Sequence, residues 1–259
     1  MRKQISITLK KHRRSWVDVI SAKFGSILPT PAEEAFTLAE TLITIGIIGI
    51  VAAMTIPTLM TKLKNDRESA ILKEDYSILQ QMMKMANEEG AMANIVIGNN
   101  MDEMKEWFDT YFLPYIKTTS VCYDKSGCWS KNVKTSAGKT YTSSKTGCGV
   151  ASISFILYNG SYVCMDDYAD FRFGVNTRGT TIGILVDVNG DKQPNVVGED
   201  IFALQFHENE LLPGGYHMTK DAVDKNCSKN CTDDRPYCGT ACTVKAQRQG
   251  FKLPVIPKK

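Results

Sequence analysis

An uncharged run of 21 residues, Thr41 to Thr61, constrains this chain more than any other feature. As a helix rising about 1.5 Å per residue, the run would extend roughly 31 Å, close to the thickness of about 30 Å of a bilayer's hydrocarbon core. One carboxylate, Glu40, comes immediately before it. An ionisable group inside a membrane helix costs about 2.5–3.5 kcal/mol, so it usually has a partner. The run therefore predicts a membrane helix that carries one acid in need of a partner.

Charge is distributed unevenly on the two sides of this run. Residues 1–35 hold seven Lys and Arg against three acids, whereas the rest of the chain holds 24 basic and 25 acidic residues. Positive charge ahead of an apolar span keeps that side cytoplasmic, so residues after about 61 are expected on the outer side. The basic excess is thus explained by topology. It gives little support to nucleic-acid binding, which needs a basic face on the folded domain.

The cysteines agree with an exported domain. An even number of them, all beyond the apolar run, predicts disulfides formed in an oxidising compartment. Nearness in sequence favours the pairs Cys122–Cys128 and Cys148–Cys164. The other four have a doubled Cys-x3-Cys spacing, which in principle could also form a tetrahedral zinc site. These four are Cys227, Cys231, Cys238 and Cys242.

The hydrophobic pattern predicts an α+β fold, in which one long N-terminal helix packs on a small antiparallel sheet. The helix is expected from Phe36 to about Asn87, apolar on all faces in its first half and amphipathic in its second, with a bend at Pro57. A short helix is expected at 101–112. Short runs bounded by turn residues predict the strands, which are 150–158, 161–165, 180–187 and 200–206.

The same pattern divides the chain into segments. Residues 130–147 are rich in Ser, Thr, Lys and Gly and predict an exposed loop or hairpin. The tail beyond about 214 has little apolar periodicity and is expected to be loop held by disulfides. The expected segments are a basic leader at 1–35, a membrane helix at 36–60, an amphipathic continuation with a short helix at 61–113, a sheet domain at 114–213 and a cysteine-rich tail at 214–259.

An acidic loop after the third predicted strand is a candidate calcium site. Its side-chain oxygens alternate along a turn, and calcium takes 6–8 oxygen ligands. The candidate ligands are Asp187, Asn189, Asp191, Asn195 and Asp200. The loop lacks the terminal bidentate Glu of an EF-hand, and the same residues are also common in β-turns, so a simple turn is the alternative. No catalytic motif accompanies this loop or the two histidines beyond the leader, His207 and His217.

The sequence Phe36-Thr37-Leu38-Ala39-Glu40, with the apolar helix behind it, resembles the N-terminal segment of type IV pilins and of the pseudopilins of type II secretion systems. Pro57 falls where such proteins commonly carry a helix-kinking proline. The resemblance implies that a prepilin peptidase cuts between Ala35 and Phe36 and methylates the new amine. It also implies that Glu40 pairs with the Phe36 amine of a neighbouring subunit, and that the acidic loop is similar to calcium loops of major pseudopilins.

Two features depart from the family's usual pattern: Ala35 stands where Gly is usual before the cut, and acidic residues 33–34 precede it. The implied function is a non-enzymatic filament subunit, inserted once in the bacterial inner membrane and then assembled into a pilus or pseudopilus with other such subunits. A platform protein and an ATPase would drive assembly. The alternatives are a minor tip subunit acting in adhesion or DNA uptake, a membrane-anchored exported hydrolase, and a plain signal anchor or cleaved signal peptide.

Overall fold

The computed structural model describes residues 37–96, 100–140, 153–166, 181–207, 209–232 and 237–256. The chain divides into two compact units, residues 1–54 and 55–259. An α+β architecture is present, with a long apolar N-terminal helix, a small antiparallel sheet and disulfides. The predicted fold class is therefore confirmed at this coarse level.

The long helix, α1, spans Leu38–Glu88. Within the described residues it is the one helix long and apolar enough to cross a membrane. Its apolar side chains in the first unit face outward, and Ile48, for example, exposes 66% of its surface. The helix continues through Pro57, whose carbonyl accepts a hydrogen bond from the Thr61 hydroxyl over 2.9 Å. The expected bend at Pro57 stays a prediction.

The second half of α1 is amphipathic, as its sequence pattern predicts. One stripe is buried, formed by Leu72, Leu79, Met82, Met83 and Ala86. Apart from the adjacent Met82 and Met83, neighbouring members of this set are three or seven positions apart, so they share one helix face. Because that face is covered by other parts of the second unit, this half of the helix is a core element of the unit.

A second helix, α2, spans Met101–Tyr111 and lies close to the expected bounds. The Asn100 side chain caps it by accepting the Asp102 N–H over 3.2 Å. A 3₁₀ turn, Leu113–Tyr115, follows at Pro114. The buried residues of α2 include Trp107 and Phe108. Phe108 stacks on Phe112, whereas Trp107 meets the same ring edge-on.

In the ranges that the structure describes, six antiparallel strands form one sheet in sequential order. They are β1 Thr118–Tyr123, β2 Ile153–Leu157, β3 Tyr162–Asp166, β4 Thr181–Asp187, β5 Ile201–His207 and β6 Glu210–Pro213. The four predicted strands are confirmed as β2 to β5. The two edge strands were not predicted, because β1 is only half buried and β6 has four residues, too few to show alternation.

The core lies between one face of the sheet and the two helices. Alternate residues of the inner strands point to this face, among them Phe155, Val163, Ile184 and Phe202. Phe155 on β2 lies 5.4 Å, centroid to centroid, from Phe108 on α2. The opposite face carries a smaller cluster that includes Cys164 and Leu185.

Two sequence-based expectations are wrong in part. The loop or hairpin expected at 130–147 is not fully exposed: Val133 and Ser136 in its described portion are buried, because Lys134 bonds through its backbone to Asn195 and Val197. The hairpin alternative agrees with an antiparallel bridge between Lys134 and Thr140. The tail is more than loop: it holds α3, Lys220–Asn226, and α4, Cys242–Arg248. Each of these helices has only seven residues, too short to produce a readable apolar period.

Disulfides are present at the start of the sheet and, separately, within the tail. Cys122 pairs with Cys128, as nearness in sequence favours. In the tail, Cys227 pairs with Cys242 and Cys231 with Cys238, one bridge nested inside the other. These bonds occupy all four sulfurs of the alternative zinc site. Cys164 is also disulfide-bonded, and its expected partner Cys148 lies outside the described residues.

Candidate functional site

The start of α1 places Glu40 in a reciprocal hydrogen-bond pair with Thr37. The Thr37 Oγ1 atom accepts the Glu40 N–H over 3.2 Å, while the Thr37 N–H and hydroxyl each donate to Glu40 Oε2 over 2.9 Å. This is a capping box, which satisfies two backbone donors that a helix start otherwise leaves unpaired. It explains why the helix begins at Leu38.

The sequence-based expectation gave Glu40 a partner on another subunit. It missed Thr37, the partner of Glu40 in its own chain. The Thr-x-x-Glu spacing was the signal that could have found it. Both hydrogen bonds from Thr37 fall on Oε2, so Oε1 takes no part in the box. Residues Ala35 and Phe36, the expected processing site, lie outside the described residues.

The acidic loop between β4 and β5 begins at Asp187, which is fully buried. Its Oδ1 atom accepts the N–H groups of Asn189 and Gly190, each over 3.1 Å, and its Oδ2 atom accepts the Ser130 hydroxyl. Gly190 has a φ of +63°, a left-handed conformation that glycine adopts without strain. The carboxylate thus holds the turn directly after β4.

Asp200 closes the same loop just before β5. Its Oδ1 atom accepts the Val196 N–H over 2.7 Å. Its Oδ2 atom accepts the Asn195 N–H over 2.9 Å and the Asn189 amide nitrogen over 3.1 Å. Four of the five candidate ligands therefore lie together around Asp200 or Asp187.

The fifth candidate, Asp191, is exposed and interacts with the Tyr162 hydroxyl. Sequence reasoning instead missed Glu68, which reaches the loop from α1. Glu68 is buried, accepts the Asn189 amide over 3.0 Å and lies 3.5 Å from the Lys64 ammonium. No local pattern in the loop could have indicated a residue so distant in sequence.

Burial controls the protonation of these acids. It raises the pKa of Asp187 to about 8, and the neighbouring charge of Asp200 adds to the rise. It also raises the pKa of Asp200 to about 6, with a smaller contribution from Glu68. Each carboxylate therefore binds a proton more tightly in the folded protein than in the unfolded chain.

Two amide oxygens in the loop lack partners. The Oδ1 atoms of Asn189 and Asn195 are buried without a hydrogen bond to any described residue. A cavity of about 30 Å³ adjoins Glu68 and Asp200, which is room for one water molecule or one ion. Within the described ranges, however, no group of three His, Cys, Asp or Glu side chains is placed to hold a metal. A cation here would need amide and main-chain oxygens as ligands.

Neither histidine beyond the leader lies in this loop. His207 lies at the end of β5, with its Nδ1 atom 3.2 Å from the Thr181 hydroxyl. His217 is stacked edge-on against Tyr216, and burial lowers its pKa.

Comparison of the chain with protein families, with curated proteins and with solved structures gives no match.

Proposed function

We propose that this chain is a filament subunit that enters the membrane through α1, is cleaved between Ala35 and Phe36, and assembles through the same helix. One observation carries the proposal: α1 has a carboxylate, Glu40, in its first turn, then an exposed uncharged run, and its second half lies in the core of a disulfide-linked domain. An ordinary anchor needs the apolar run alone. Glu40, at the start of that run, is not needed for anchoring, so we assign it a role in assembly.

Electrostatics supports a role in assembly. A carboxylate and an ammonium each cost several kcal/mol when buried alone, and the cost falls when they meet. Cleavage before Phe36 would create an ammonium four residues from Glu40. In a bundle of α1 helices, that ammonium on one subunit would meet Glu40 on the next and fix their register. The capping box supports this geometry, because it orients the carboxylate and leaves Oε1 outside its two hydrogen bonds.

The partners follow from this mechanism. A prepilin peptidase would act on the leader, and neighbouring subunits would supply the amine. A platform protein and an ATPase would supply the work of extraction from the membrane. A bacterial inner membrane is the proposed site of insertion, with the domain after residue 61 exported.

The decisive experiment compares two substitutions of Glu40. Glu40→Ala removes both the charge and the cap, whereas Glu40→Gln removes the charge and keeps an acceptor for the Thr37 N–H. Both variants are expected to insert and to be cleaved, and both are expected to be absent from sheared filaments. Glu88→Gln, at the far end of the same helix, is the matched control and should assemble normally.

Normal incorporation of Glu40→Gln, together with failure of Glu40→Ala, would assign Glu40 to the cap alone and remove the pairing argument. Mass spectrometry of the mature N-terminus tests the cleavage separately. A mature chain that does not begin with Phe36 would contradict the proposed processing.

We also propose a calcium ion at the acidic loop, as a structural support of the exported domain. With Glu68, Asp187 and Asp200 ionised and Lys64 as the nearby cation, the cluster has a net charge of −2. A divalent cation would neutralise it. The unpartnered Asn189 and Asn195 oxygens support the proposal, because calcium prefers neutral and anionic oxygens together. When bound, the ion would rigidify the loop and take no part in a reaction.

A further inference from the structure

A cavity of about 720 Å³ lies between α1 and two turns of the sheet domain. The helix contributes Leu63, Lys64, Arg67, Glu68 and Ile71. The β2–β3 turn contributes residues 159–160, and the β4–β5 loop contributes residues 188–193. All of these residues belong to the second unit. The proposed assembly mechanism does not use this cavity.

The charges around the cavity are unequal once their partners are taken into account. Glu68 is engaged by Asn189 and Lys64, and Asp191 interacts with Tyr162. The side chains of Arg67 and Lys192, by contrast, form no hydrogen bond or ion pair with any residue in the part of the chain that the structure describes. The two unengaged charges at this cavity are therefore both positive.

Apolar side chains complete the lining. Leu63, Ile71 and Val188 lie in the same cavity, and Leu63 exposes 59% of its surface. A ligand with an anionic group and an apolar portion fits such a lining better than a free inorganic anion does, because the apolar surface gains only from an apolar partner.

The cavity begins directly beyond the uncharged run. Its first lining residue, Leu63, lies two residues after Thr61, which is about 3 Å along the axis of α1. Ile56, Leu59 and Met60, the last large apolar residues of the run, are all more than half exposed. If α1 enters a bilayer as proposed, phospholipid headgroups occupy the layer directly beyond these residues.

We propose that this cavity binds the headgroup of an anionic phospholipid from the outer leaflet, with Arg67 and Lys192 contacting the phosphate and Leu63 contacting the adjoining glycerol and acyl carbons. The inference rests on the proposed membrane insertion of α1. It assigns to the domain a lipid contact that holds it at the bilayer surface before assembly.

The test uses the full chain in phosphatidylcholine nanodiscs that contain a small fraction of spin-labelled phosphatidylglycerol. The immobilised component of the electron paramagnetic resonance spectrum reports the bound lipid. The wild-type chain is expected to immobilise labelled phosphatidylglycerol in preference to labelled phosphatidylcholine. Because each cation near a membrane surface contributes about a fivefold preference for anionic lipid, Arg67→Gln and Lys192→Gln are each expected to reduce the preference about fivefold.

Lys73→Gln and Lys84→Gln form the matched control, since both lysines are exposed on α1 and lie outside the cavity. An equal loss in these controls would overturn the site, because it would show diffuse attraction by the whole domain. Displacement of the lipid by inorganic phosphate would also overturn it and assign the cations to a free anion. If the wild-type chain inserts but shows no preference for phosphatidylglycerol, the lipid site is refuted and the proposed insertion is not. If the chain fails to enter the nanodisc, the proposed insertion is refuted as well.

Discussion

The Asn189 amide nitrogen donates a hydrogen bond to Glu68 Oε1 over 3.0 Å, across a separation of 121 residues. The same nitrogen donates to Asp200 Oδ2 over 3.1 Å. One side chain thus connects α1 with both ends of the acidic loop. If α1 is the element through which subunits assemble, the state of this loop affects how firmly the exported domain is held on that helix.

Replacing Glu68 with Ala is expected to lower the free energy of unfolding by about 1–2 kcal/mol, because it removes a buried acceptor for Asn189 and the partner of Lys64. The loss should be larger below the Asp200 pKa of about 6 than above it. Above that pH, removal of Glu68 also relieves its repulsion with ionised Asp200. Thermal unfolding of the detergent-solubilised chain at several pH values measures this, with Glu88→Ala as the control.

Calcium is expected to raise the unfolding temperature of the wild-type chain, and the rise should increase with pH. The ion binds the carboxylates in their ionised form, whereas protons are held on Asp187 up to a pKa of about 8. Asp187→Asn and Asp200→Asn should each abolish most of the rise. Asp191→Asn should leave it intact, because the exposed Asp191 interacts with Tyr162 and is hydrogen-bonded neither to Asp187 nor to Asp200.

An equal calcium effect in all three variants would place the ion elsewhere or show weak nonspecific binding. Magnesium provides a further control. It requires a more regular octahedral geometry and retains its water molecules, so it should substitute poorly in a loop of this kind.

Asp75 provides a test of pH-dependent stability far from the loop. It is fully buried on α1, its Oδ1 atom accepts the Asn159 amide over 2.7 Å, and its Oδ2 atom has no hydrogen bond of normal geometry. Burial raises its pKa from 3.8 to about 6. The folded state therefore binds the proton more tightly than the unfolded chain, and stability is lost as pH rises through this window.

The substitution Asp75→Asn should remove this loss, because Asn cannot ionise and keeps an acceptor for Asn159. The expected gain is about 2–3 kcal/mol above the Asp75 pKa and close to zero below pH 3.8, the ordinary value. Denaturation curves across this range measure it. Asp66→Asn, an exposed acid on the same helix, should show no such pH-dependent gain.

The two tail disulfides are expected to differ in how much each contributes to the free energy of unfolding. Cys227–Cys242 closes a loop of 15 residues and Cys231–Cys238 one of 7. Loop-closure entropy gives about 3 kcal/mol for the longer loop and roughly 2.3 kcal/mol for the shorter. Because Cys242 is also fully buried in the main core, the double Ala substitution of the longer pair should lower the unfolding temperature more. A larger loss from the shorter pair would contradict this order.

Much of the fold could be predicted from the sequence because its signals are local. The uncharged run predicts the first half of α1, and short runs bounded by turn residues predict β2 to β5. What could not be predicted depends on distant residues: Glu68 joins the acidic loop from more than a hundred positions away. Asp191 shows the opposite error. Its spacing in the sequence predicts a calcium ligand, but its side chain interacts with Tyr162.

Thr37 provides the last prediction, because its hydroxyl separates the capping role of Glu40 from its charge. Thr37→Val keeps the side chain's shape and removes the acceptor for the Glu40 N–H. Loss of an N-cap costs about 1 kcal/mol, so the Glu40 amide should exchange its hydrogen about fivefold faster in micelles. Thr37→Ser should restore wild-type exchange. Since the carboxylate remains, Thr37→Val should still assemble into filaments better than Glu40→Gln. If hydrogen exchange at the Glu40 amide is unchanged in Thr37→Val, the hydroxyl does not cap the helix in solution. If Thr37→Val assembles as poorly as Glu40→Gln, the Glu40 charge acts in assembly only when the cap is present.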